Sequence, residues 1–202
     1  MLEYEKKHAG AVIGLDEAGR GPLAGGVFAS AVHLPIERAE ILAETTWAQV
    51  NDSKKLSPKT RLALFDEIRE KAIAYSIGYG TVEEIDQYNI LEATLLAMRR
   101  AVEGLQIKPD YLLVDGNIFR DFDLPGEPVI KGDATSSSIA AASILAKVTR
   151  DLLCDELDAL YPEYGIKQHK GYGTKMHMDA LREHGPSPIH RKQFIRFLEK
   201  QE

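Results

Sequence analysis

A chain of 202 residues, 44% of them hydrophobic, can bury an apolar core and is expected to form a globular unit rather than a disordered one. The amino terminus has no apolar stretch of signal-peptide length and no later run could cross a bilayer, so we expect a soluble, cytoplasmic protein with no membrane partner. A single cysteine, Cys154, excludes an internal disulfide and a thiolate metal site, and its acidic neighbours disfavour a nucleophilic thiol.

The net charge of −6 is unevenly distributed along the chain. Residues 164–202 contain eight Lys and Arg against four Asp and Glu, a net charge of +4, which leaves −10 for the rest. A basic segment beside an acidic body is compatible with a phosphate-backbone contact next to a metal site. From the charge pattern alone, a solvated helical face is the favoured explanation of the segment.

Apolar runs separated by turn residues predict five strands, which alternate with helices as in α/β folds. The glycine-rich run after the first strand predicts that the first two strands pair antiparallel. The predicted strands cover residues 12–15, 26–34, 74–79, 111–114 and 128–130.

Capping residues and apolar periodicity predict three helices. The first begins with Ser57 as N-cap and Pro58 at the first helical position, and the second begins at Asn89. A run of small residues at 139–148 predicts a third helix, packed closely on the sheet. The expected apolar face of the first helix consists of Leu62, Phe65, Ile68 and Ala72.

Four carboxylates, Asp16, Glu17, Asp115 and Asp133, fall at or just beyond the ends of predicted strands. If those strands are neighbours, the acids converge on one sheet edge, where a divalent cation would neutralise them. Oxygen ligands favour Mg²⁺ or Mn²⁺ over zinc. Each acid taken alone is more simply a solvated loop residue. Asp16 and Glu17 are consecutive, so both reach one site only if the strand ends or bulges there.

If the basic, aromatic segment binds a nucleic acid, several glycines, lysines and a tyrosine are candidate contacts for it. Gly19 and Gly21 would let the backbone approach a ribose closely, although a plain tight turn explains them as well. Tyr172 lies between two glycines, where its ring could stack on a sugar. Candidate phosphate contacts, each also explained by surface solubility, are Lys54, Lys55, Lys170, Arg191 and Lys192.

These residues leave three functional classes open. A nuclease would use both the acids and the basic segment. A metal-dependent phosphatase or other phosphotransferase would use similar acids but would not need the basic, aromatic segment. A non-catalytic nucleic-acid-binding module would need that segment but not four acids at strand ends.

Several motifs taken together resemble bacterial ribonuclease HII, in the same order along the chain from about residue 12 to residue 194. Any one of them would be a weak signal, whereas the ordered set is highly specific. The motifs are GLDEAGRGPLAG at 14–25, DSKKLS at 52–57, VDG at 114–116, KGD at 131–133, SIAAASILAKVTRD at 138–151 and HKGYGT at 169–174.

The resemblance implies a ribonuclease H-like fold, a mixed sheet of about five strands flanked by helices, with a helical C-terminal extension. It implies a metal-dependent endonuclease, a type 2 ribonuclease H, which cuts RNA in RNA·DNA hybrids and at ribonucleotides embedded in duplex DNA. Two metal ions, Mg²⁺ or Mn²⁺, would give 5′-phosphate and 3′-hydroxyl ends. We expect a monomer, with a catalytic domain at residues 1–163 and a substrate-binding segment at 164–202 packed on it.

The resemblance also assigns residue roles. The catalytic and metal-binding carboxylates would be Asp16, Glu17, Asp115 and Asp133. The glycine-arginine-glycine element that reads the 2′-hydroxyl would be Gly19, Arg20 and Gly21, and the substrate-sensing tyrosine would be Tyr172.

Overall fold

A five-stranded mixed sheet lies at the centre of the computed structural model, which describes residues 1–36 and 56–201. The strands are β1 (Val12–Ala18), β2 (Val27–His33), β3 (Ala74–Gly80), β4 (Tyr111–Asp115) and β5 (Gly126–Val129). Their order across the sheet is β3-β2-β1-β4-β5; β2 is antiparallel to both β1 and β3, and β4 is parallel to both β1 and β5. The predicted α/β class and mixed five-stranded sheet are confirmed.

Helices cover both faces of this sheet. The helices are α1 (Pro58–Lys71), α2 (Val82–Tyr88), α3 (Ile90–Glu103), α4 (Gly132–Thr135), α5 (Ser137–Leu160), α6 (Ile166–His169) and α7 (Lys175–His184). Helix α5 packs on β1 and β2 on one face, with α1 beside it, and α3 packs on β2 and β3 on the other. Short 3-10 turns lie at Glu5–Lys7, Pro162–Tyr164 and Arg196–Gln201. Within residues 1–36 and 56–201, no helix is long and apolar enough to cross a membrane.

Gly14 allows α5 to approach β1 closely. A Cβ atom at this position would lie 2.2 Å from the backbone carbon of Ser138 and 2.3 Å from the backbone nitrogen of Ile139. Any side chain here would push the helix away from the strand. Because Asp16 lies two residues further along β1, on the same face, this contact also fixes the distance between α5 and that carboxylate.

Three sequence predictions about these elements need correction. Strand β1 continues to Ala18 instead of ending at residue 15, because it pairs with β2 over its whole second half. Strand β5 covers Gly126–Val129, and the predicted strand residue Ile130 is 72% exposed in the turn that follows. Leu62 is 48% exposed, since α1 buries the adjacent stripe made by Leu64, Phe65 and Ile68.

The C-terminal segment packs on the body of the protein through its own apolar cluster. This cluster contains Ala24, Cys154, Tyr164, Ile166, Leu181, Ile189 and Ile195. Backbone hydrogen bonds tie the segment to the glycine-rich loop after β1: Leu23 N–H donates to the Gly171 carbonyl at 2.8 Å, and Gly25 N–H donates to the Ile189 carbonyl at 2.9 Å. The glycine-rich loop and the C-terminal segment are therefore held together by backbone hydrogen bonds as well as by apolar packing.

Candidate active site

Three of the four predicted carboxylates line one cavity of about 270 Å³. Asp16 and Glu17 come from the second half of β1, and Asp115 is the last residue of the neighbouring strand β4. The parallel pairing of β1 with β4 ends at Leu15 and Val114. Both strands thus deliver acids at the point where they separate, which is where α/β sheets place ligands.

The open edge of β1 explains how two consecutive residues reach one cavity. The pairing of β1 with β2 runs without a bulge from Gly14 to Ala18, so Asp16 and Glu17 start on opposite faces of the sheet. Beyond Leu15 no β4 residue pairs with β1, and the Glu17 side chain can therefore turn round the strand edge into the cavity lined by Asp16. The backbone N–H of Glu17 donates to Asp16 Oδ1 at 2.7 Å.

Burial and mutual repulsion keep these acids in an unfavourable electrostatic environment. Burial raises the pKa of Asp16 well above its usual value, and the charges of Glu17 and Asp115 raise it further, against a hydrogen bond from Ser143. Burial also raises the pKa of Glu17, where the nearby Arg20 guanidinium acts in the opposite direction. Arg20 Nη1 lies 3.4 Å from Glu17 Oε1. A bound cation would relieve this repulsion.

Asp133 lies near the cavity without lining it. It is half-buried in the short helix α4. The preceding residue, Gly132, donates its backbone N–H to Asp115 Oδ1 at 2.7 Å. This hydrogen bond holds the start of α4 next to Asp115. In the part of the chain that the structure describes, no three His, Cys, Asp or Glu side chains are grouped as a finished metal site. The donor set of buried, mutually repelling carboxylate oxygens nevertheless has the chemistry that hard divalent cations prefer.

Cationic side chains line the same cavity as the acids. Arg61, Lys147 and Arg150 line it together with Ser143. Lys147 Nζ donates to Asp151 Oδ1, and Arg61 Nη1 lies 3.6 Å from Asp151 Oδ2. The Asp151 carboxylate therefore pairs with both of these cations. The cavity lining therefore combines acids that fit cations with basic groups that fit phosphate oxygens.

The predicted glycine-arginine-glycine loop borders the same cavity. Gly19 has a φ of +103°, and a Cβ there would lie 2.4 Å from Arg150 Nε. Both the backbone conformation and the buried guanidinium beneath it thus require glycine. Arg20 is exposed at the rim, and Gly21 approaches Tyr172, whose Cε1 would lie 3.4 Å from a Cβ at position 21.

Tyr172 completes the mouth of the cavity. It lies in the loop between α6 and α7, is 47% exposed and lines the cavity with Asp16, Glu17 and Asp115. The Arg150 guanidinium carbon lies 5.9 Å from the centre of its ring. The structure therefore brings together the acids, the glycine loop and the tyrosine, although they are far apart in the sequence.

Comparison with known proteins identifies the family. The ribonuclease HII family model matches residues 13–197. The ribonuclease HII of Verminephrobacter eiseniae (strain EF01-2) is 55% identical over 186 residues, which cover 92% of this chain and 86% of that protein. That of Paracidovorax citrulli (strain AAC00-1) is 56% identical over 186 residues, covering 92% and 74%. The chain belongs to the ribonuclease HII family.

Solved structures agree with this assignment. The ribonuclease H2 of Pyrococcus horikoshii OT3 is 29% identical and superposes with a TM-score of 0.77 over 95% of this chain and 98% of that one. Bst-RNase HIII, solved in complex with Mn²⁺, is 20% identical with a TM-score of 0.65, covering 94% of this chain and 64% of that one, and shows the fold alone. As a ribonuclease HII, the protein is a nuclease with ribonuclease H activity on RNA·DNA hybrids.

Arg191 was predicted to contact phosphate from the protein surface, and the structure places it elsewhere. Instead of lying on the surface to contact phosphate, its side chain is fully buried. Its guanidinium donates to the backbone carbonyls of Gly19, Arg20, Gly25 and Gly26 at 2.6 to 3.1 Å. These four carbonyl groups lie in an irregular loop and need hydrogen-bond donors from outside it. The planar guanidinium of one side chain supplies all of those donors. Arg191 therefore supports the loop from within.

The other predicted phosphate contacts have different surroundings. Lys170 is half-buried, with Nζ 2.7 Å from Asp155 Oδ1, whereas Lys192 is exposed beside a second cavity. Lys54 and Lys55 lie outside the described residues.

Sequence reasoning missed the basic side chains that line the cavity and the serine beside the acids. Ser143, Lys147 and Arg150 are spaced by four and three residues, which places them on one face of α5. This periodic polar stripe in an otherwise small and apolar helix was the available signal. Arg61, which comes from α1, leaves no comparable signal because its neighbours in the cavity are distant in sequence.

Proposed function

We propose that this ribonuclease HII cuts the RNA strand of hybrids, and also duplex DNA at single embedded ribonucleotides, by two-metal-ion catalysis that leaves 5′-phosphate and 3′-hydroxyl ends. The observation that supports this most directly is the shared cavity of Asp16, Glu17, Asp115 and Tyr172. It combines a place for cations with a ring suited to a sugar or base. A phosphatase would not need the second part, and a binding module would not need the first.

The cations in this proposal are Mg²⁺ or Mn²⁺, held by Asp16, Glu17 and Asp115, with Asp133 joining from α4. When bound, two such ions supply an activated water and stabilise the leaving 3′ oxygen. The Mn²⁺ complex of Bst-RNase HIII supports a divalent ion in this fold. Ser143 would keep the Asp16 carboxylate oriented through its hydrogen bond.

The protein's own residues orient the substrate. Lys147 and Arg61 line the cavity together with the acids and would contact the phosphates that flank the cut. Gly19, Arg20 and Gly21 would approach the 2′-hydroxyl, the group that distinguishes RNA from DNA. Tyr172 would stack on the neighbouring sugar from the other side of the cavity mouth. Segment 164–202 is thus proposed as the substrate-binding part of a cytoplasmic enzyme.

Cleavage of three duplexes tests the proposal. They are a DNA duplex with one ribonucleotide, a long RNA·DNA hybrid and an all-DNA control, each incubated with Mg²⁺, with Mn²⁺ or with a chelator. We expect metal-dependent cutting of the first two only, with 3′-hydroxyl ends that a DNA polymerase extends and 5′-phosphate ends that polynucleotide kinase labels only after phosphatase treatment. Cutting of the hybrid alone would contradict the proposal for embedded ribonucleotides, and cutting in chelator would contradict the metal mechanism.

The Tyr172→Ala variant tests recognition at the junction. We expect it to fold normally and to cut a single embedded ribonucleotide about 10-fold more slowly, since stacking on an aromatic ring contributes about 1–3 kcal/mol. The loss on a long hybrid should be smaller, because many registers are available there. Tyr88→Ala is the matched control, since Tyr88 is 48% exposed on α2, and should leave both rates unchanged. Equal losses on both substrates would show that Tyr172 does not sense the junction.

A further inference from the structure

Two buried histidines lie directly behind the Tyr172 loop. His177 is near the start of α7, and His190 follows that helix in the C-terminal segment. Both rings are buried, and their Nε2 atoms are 3.0 Å apart. The second nitrogen of His177, Nδ1, lies 3.0 Å from the backbone carbonyl oxygen of Tyr172. None of the roles proposed above uses these side chains.

The partners of the pair determine which nitrogens carry protons. A carbonyl oxygen only accepts, so His177 Nδ1 must carry a proton and donate to Tyr172. The backbone N–H of Ser187 donates to His190 Nδ1 at 3.1 Å, which leaves His190 Nε2 as the protonated nitrogen. His190 Nε2–H then donates to the bare Nε2 of His177. All hydrogen bonds in this chain run in one direction, from Ser187 to Tyr172.

The surroundings hold both rings neutral and in place. His169 stacks on His177 with ring centres 4.3 Å apart, and Tyr164 packs its edge against His190 at 4.7 Å. Burial lowers the pKa of both His177 and His190, which favours the neutral rings that the hydrogen-bond chain requires. His169 itself accepts the Gly171 N–H at 3.2 Å through Nδ1 and fastens the start of the Tyr172 loop.

We propose that His177 and His190 are positioning residues for Tyr172, acting through the hydrogen bond to its backbone carbonyl. This inference rests on the proposed role of Tyr172 at the cavity mouth. The loop that carries Tyr172 has left-handed backbone at Lys170 and Gly171, and the Tyr172 ring is half-exposed. Without His177, the Tyr172 carbonyl would keep, among residues 1–36 and 56–201, only the Thr174 N–H, which belongs to the same loop. The histidine pair connects this carbonyl to a structure outside the loop and thereby fixes where the ring points.

The first test reads the protonation of the native rings. Histidine ¹⁵N–¹H correlation spectra at pH 7.5 should show His177 in the Nδ1–H form, the less common form of free neutral imidazole, and His190 in the Nε2–H form. His190→Leu removes the donor to His177 Nε2 and should shift His177 toward the Nε2–H form. An Nε2–H form of His177 in the wild type would overturn the proposal, because that ring cannot donate to Tyr172.

The second test uses a pair of His177 variants. His177→Leu removes the donor, whereas His177→Asn places an amide N–H close to the position of Nδ1. We expect His177→Leu to slow cleavage of a single embedded ribonucleotide about 10-fold, as Tyr172→Ala does, with a smaller loss on long hybrids. His177→Asn should recover most of the rate. Equal losses in the two variants would contradict positioning through the Nδ1 donor.

A double variant separates positioning from a general structural role. If His177 acts through Tyr172, then His177→Leu should cost nothing further once Tyr172 is alanine. Losses that multiply would overturn the inference. Failure of the proposed function is distinguishable, because Tyr172→Ala alone would then cut both substrates at unchanged relative rates. If His177→Leu does not fold, the His177→Asn variant and the ring spectra of the wild type still decide the matter.

Discussion

Asp16 occupies an electrostatically unfavourable position among the acids of the site. Its carboxylate is buried, lies beside two further acids and is partly compensated by the Ser143 hydroxyl and the Glu17 N–H. Such an arrangement opposes folding when the site is empty and favours cation binding. A residue retained at the expense of stability is typical of a functional site.

Replacing Asp16 by Asn separates these two effects. The substitution keeps the shape and removes one repelling charge, so we expect hybrid cleavage to fall more than about 100-fold, beyond the loss usual for residues that only support metal ligands. The free energy of unfolding without metal should stay equal or rise. Chemical denaturation in chelator and single-turnover cleavage with Mg²⁺ measure the two quantities.

Asp123→Asn is the control for this change, because Asp123 is an exposed aspartate that does not line the cavity. It should leave cleavage, stability and Mg²⁺ binding unchanged. Calorimetry should detect weaker Mg²⁺ binding by Asp16→Asn than by Asp123→Asn. Cleavage by Asp16→Asn at the wild-type rate would remove Asp16 from the metal site.

At the level of elements, the glycine-rich loop and the C-terminal segment depend on each other. Arg191 reaches from the segment into the loop and satisfies carbonyl groups on both sides of it, at Gly19 and Gly26. Burial, together with the nearby charge of Arg150, lowers the pKa of Arg191 to about 9. The loop that borders the active site is thus held by a residue nearly the whole chain away.

Arg191→Lys should therefore damage both stability and cleavage. A lysine keeps the charge but cannot donate to four carbonyls in one plane, and each buried acceptor left unsatisfied costs about 1–3 kcal/mol. We expect the free energy of unfolding to fall by about 3 kcal/mol and the KM for hybrids to rise, because the loop loses its fixed shape. Denaturant titration and steady-state kinetics test this expectation.

Arg196→Lys provides the comparison, since Arg196 is exposed in the last 3-10 turn. It should change stability by no more than about 0.5 kcal/mol, the usual effect of a surface substitution. If Arg191→Lys behaves like Arg196→Lys, then Arg191 does not support the loop.

Local signals allowed many elements to be predicted from the sequence. Ser57 caps α1 by accepting the Thr60 N–H at 3.1 Å, and Asn89 caps α3 through the N–H groups of Leu91 and Glu92. Each of these interactions spans two or three residues, so composition and spacing reveal them. That Asp16, Glu17 and Asp115 come together was predictable for a similar reason, because each follows a recognisable apolar run, whereas their role as metal ligands stays a prediction.

Interactions between distant residues left no such signal. Glu5 precedes the predicted strands and looks like a solvated acid, yet it is buried and accepts hydrogen bonds from Ser136 Oγ, Ser138 N and Ser138 Oγ at the start of α5. Arg191 was misread in the same way, since its loop partners lie more than 160 residues earlier. Burial of a charged side chain depends on the tertiary fold, which periodicity does not contain.

For the molecule as a whole, the buried histidines and the buried acids have opposite effects on stability as the pH changes. Histidines with a lowered pKa bind protons more readily when unfolded, so acid destabilises the folded state. Asp16 and Glu17, whose pKa values are raised by burial, bind protons more readily when folded, so acid relieves their repulsion. The measured curve is the sum of the two effects.

A histidine variant isolates the first effect. The pKa of His190 falls from 6.5 to about 4 on folding, so its stabilising contribution is complete above pH 6.5 and is lost progressively as the pH decreases to about 4. This loss amounts to about 3 kcal/mol. The difference in unfolding free energy between wild type and His190→Gln should therefore shrink between pH 7 and pH 4, because the variant has no ring to protonate.

Urea titrations at half-unit pH steps measure this difference. The contribution of the buried acids to the pH dependence cancels in it, because both proteins contain those acids. A difference that stays constant across this range would show that His190 is protonated as readily in the folded protein as in the unfolded chain.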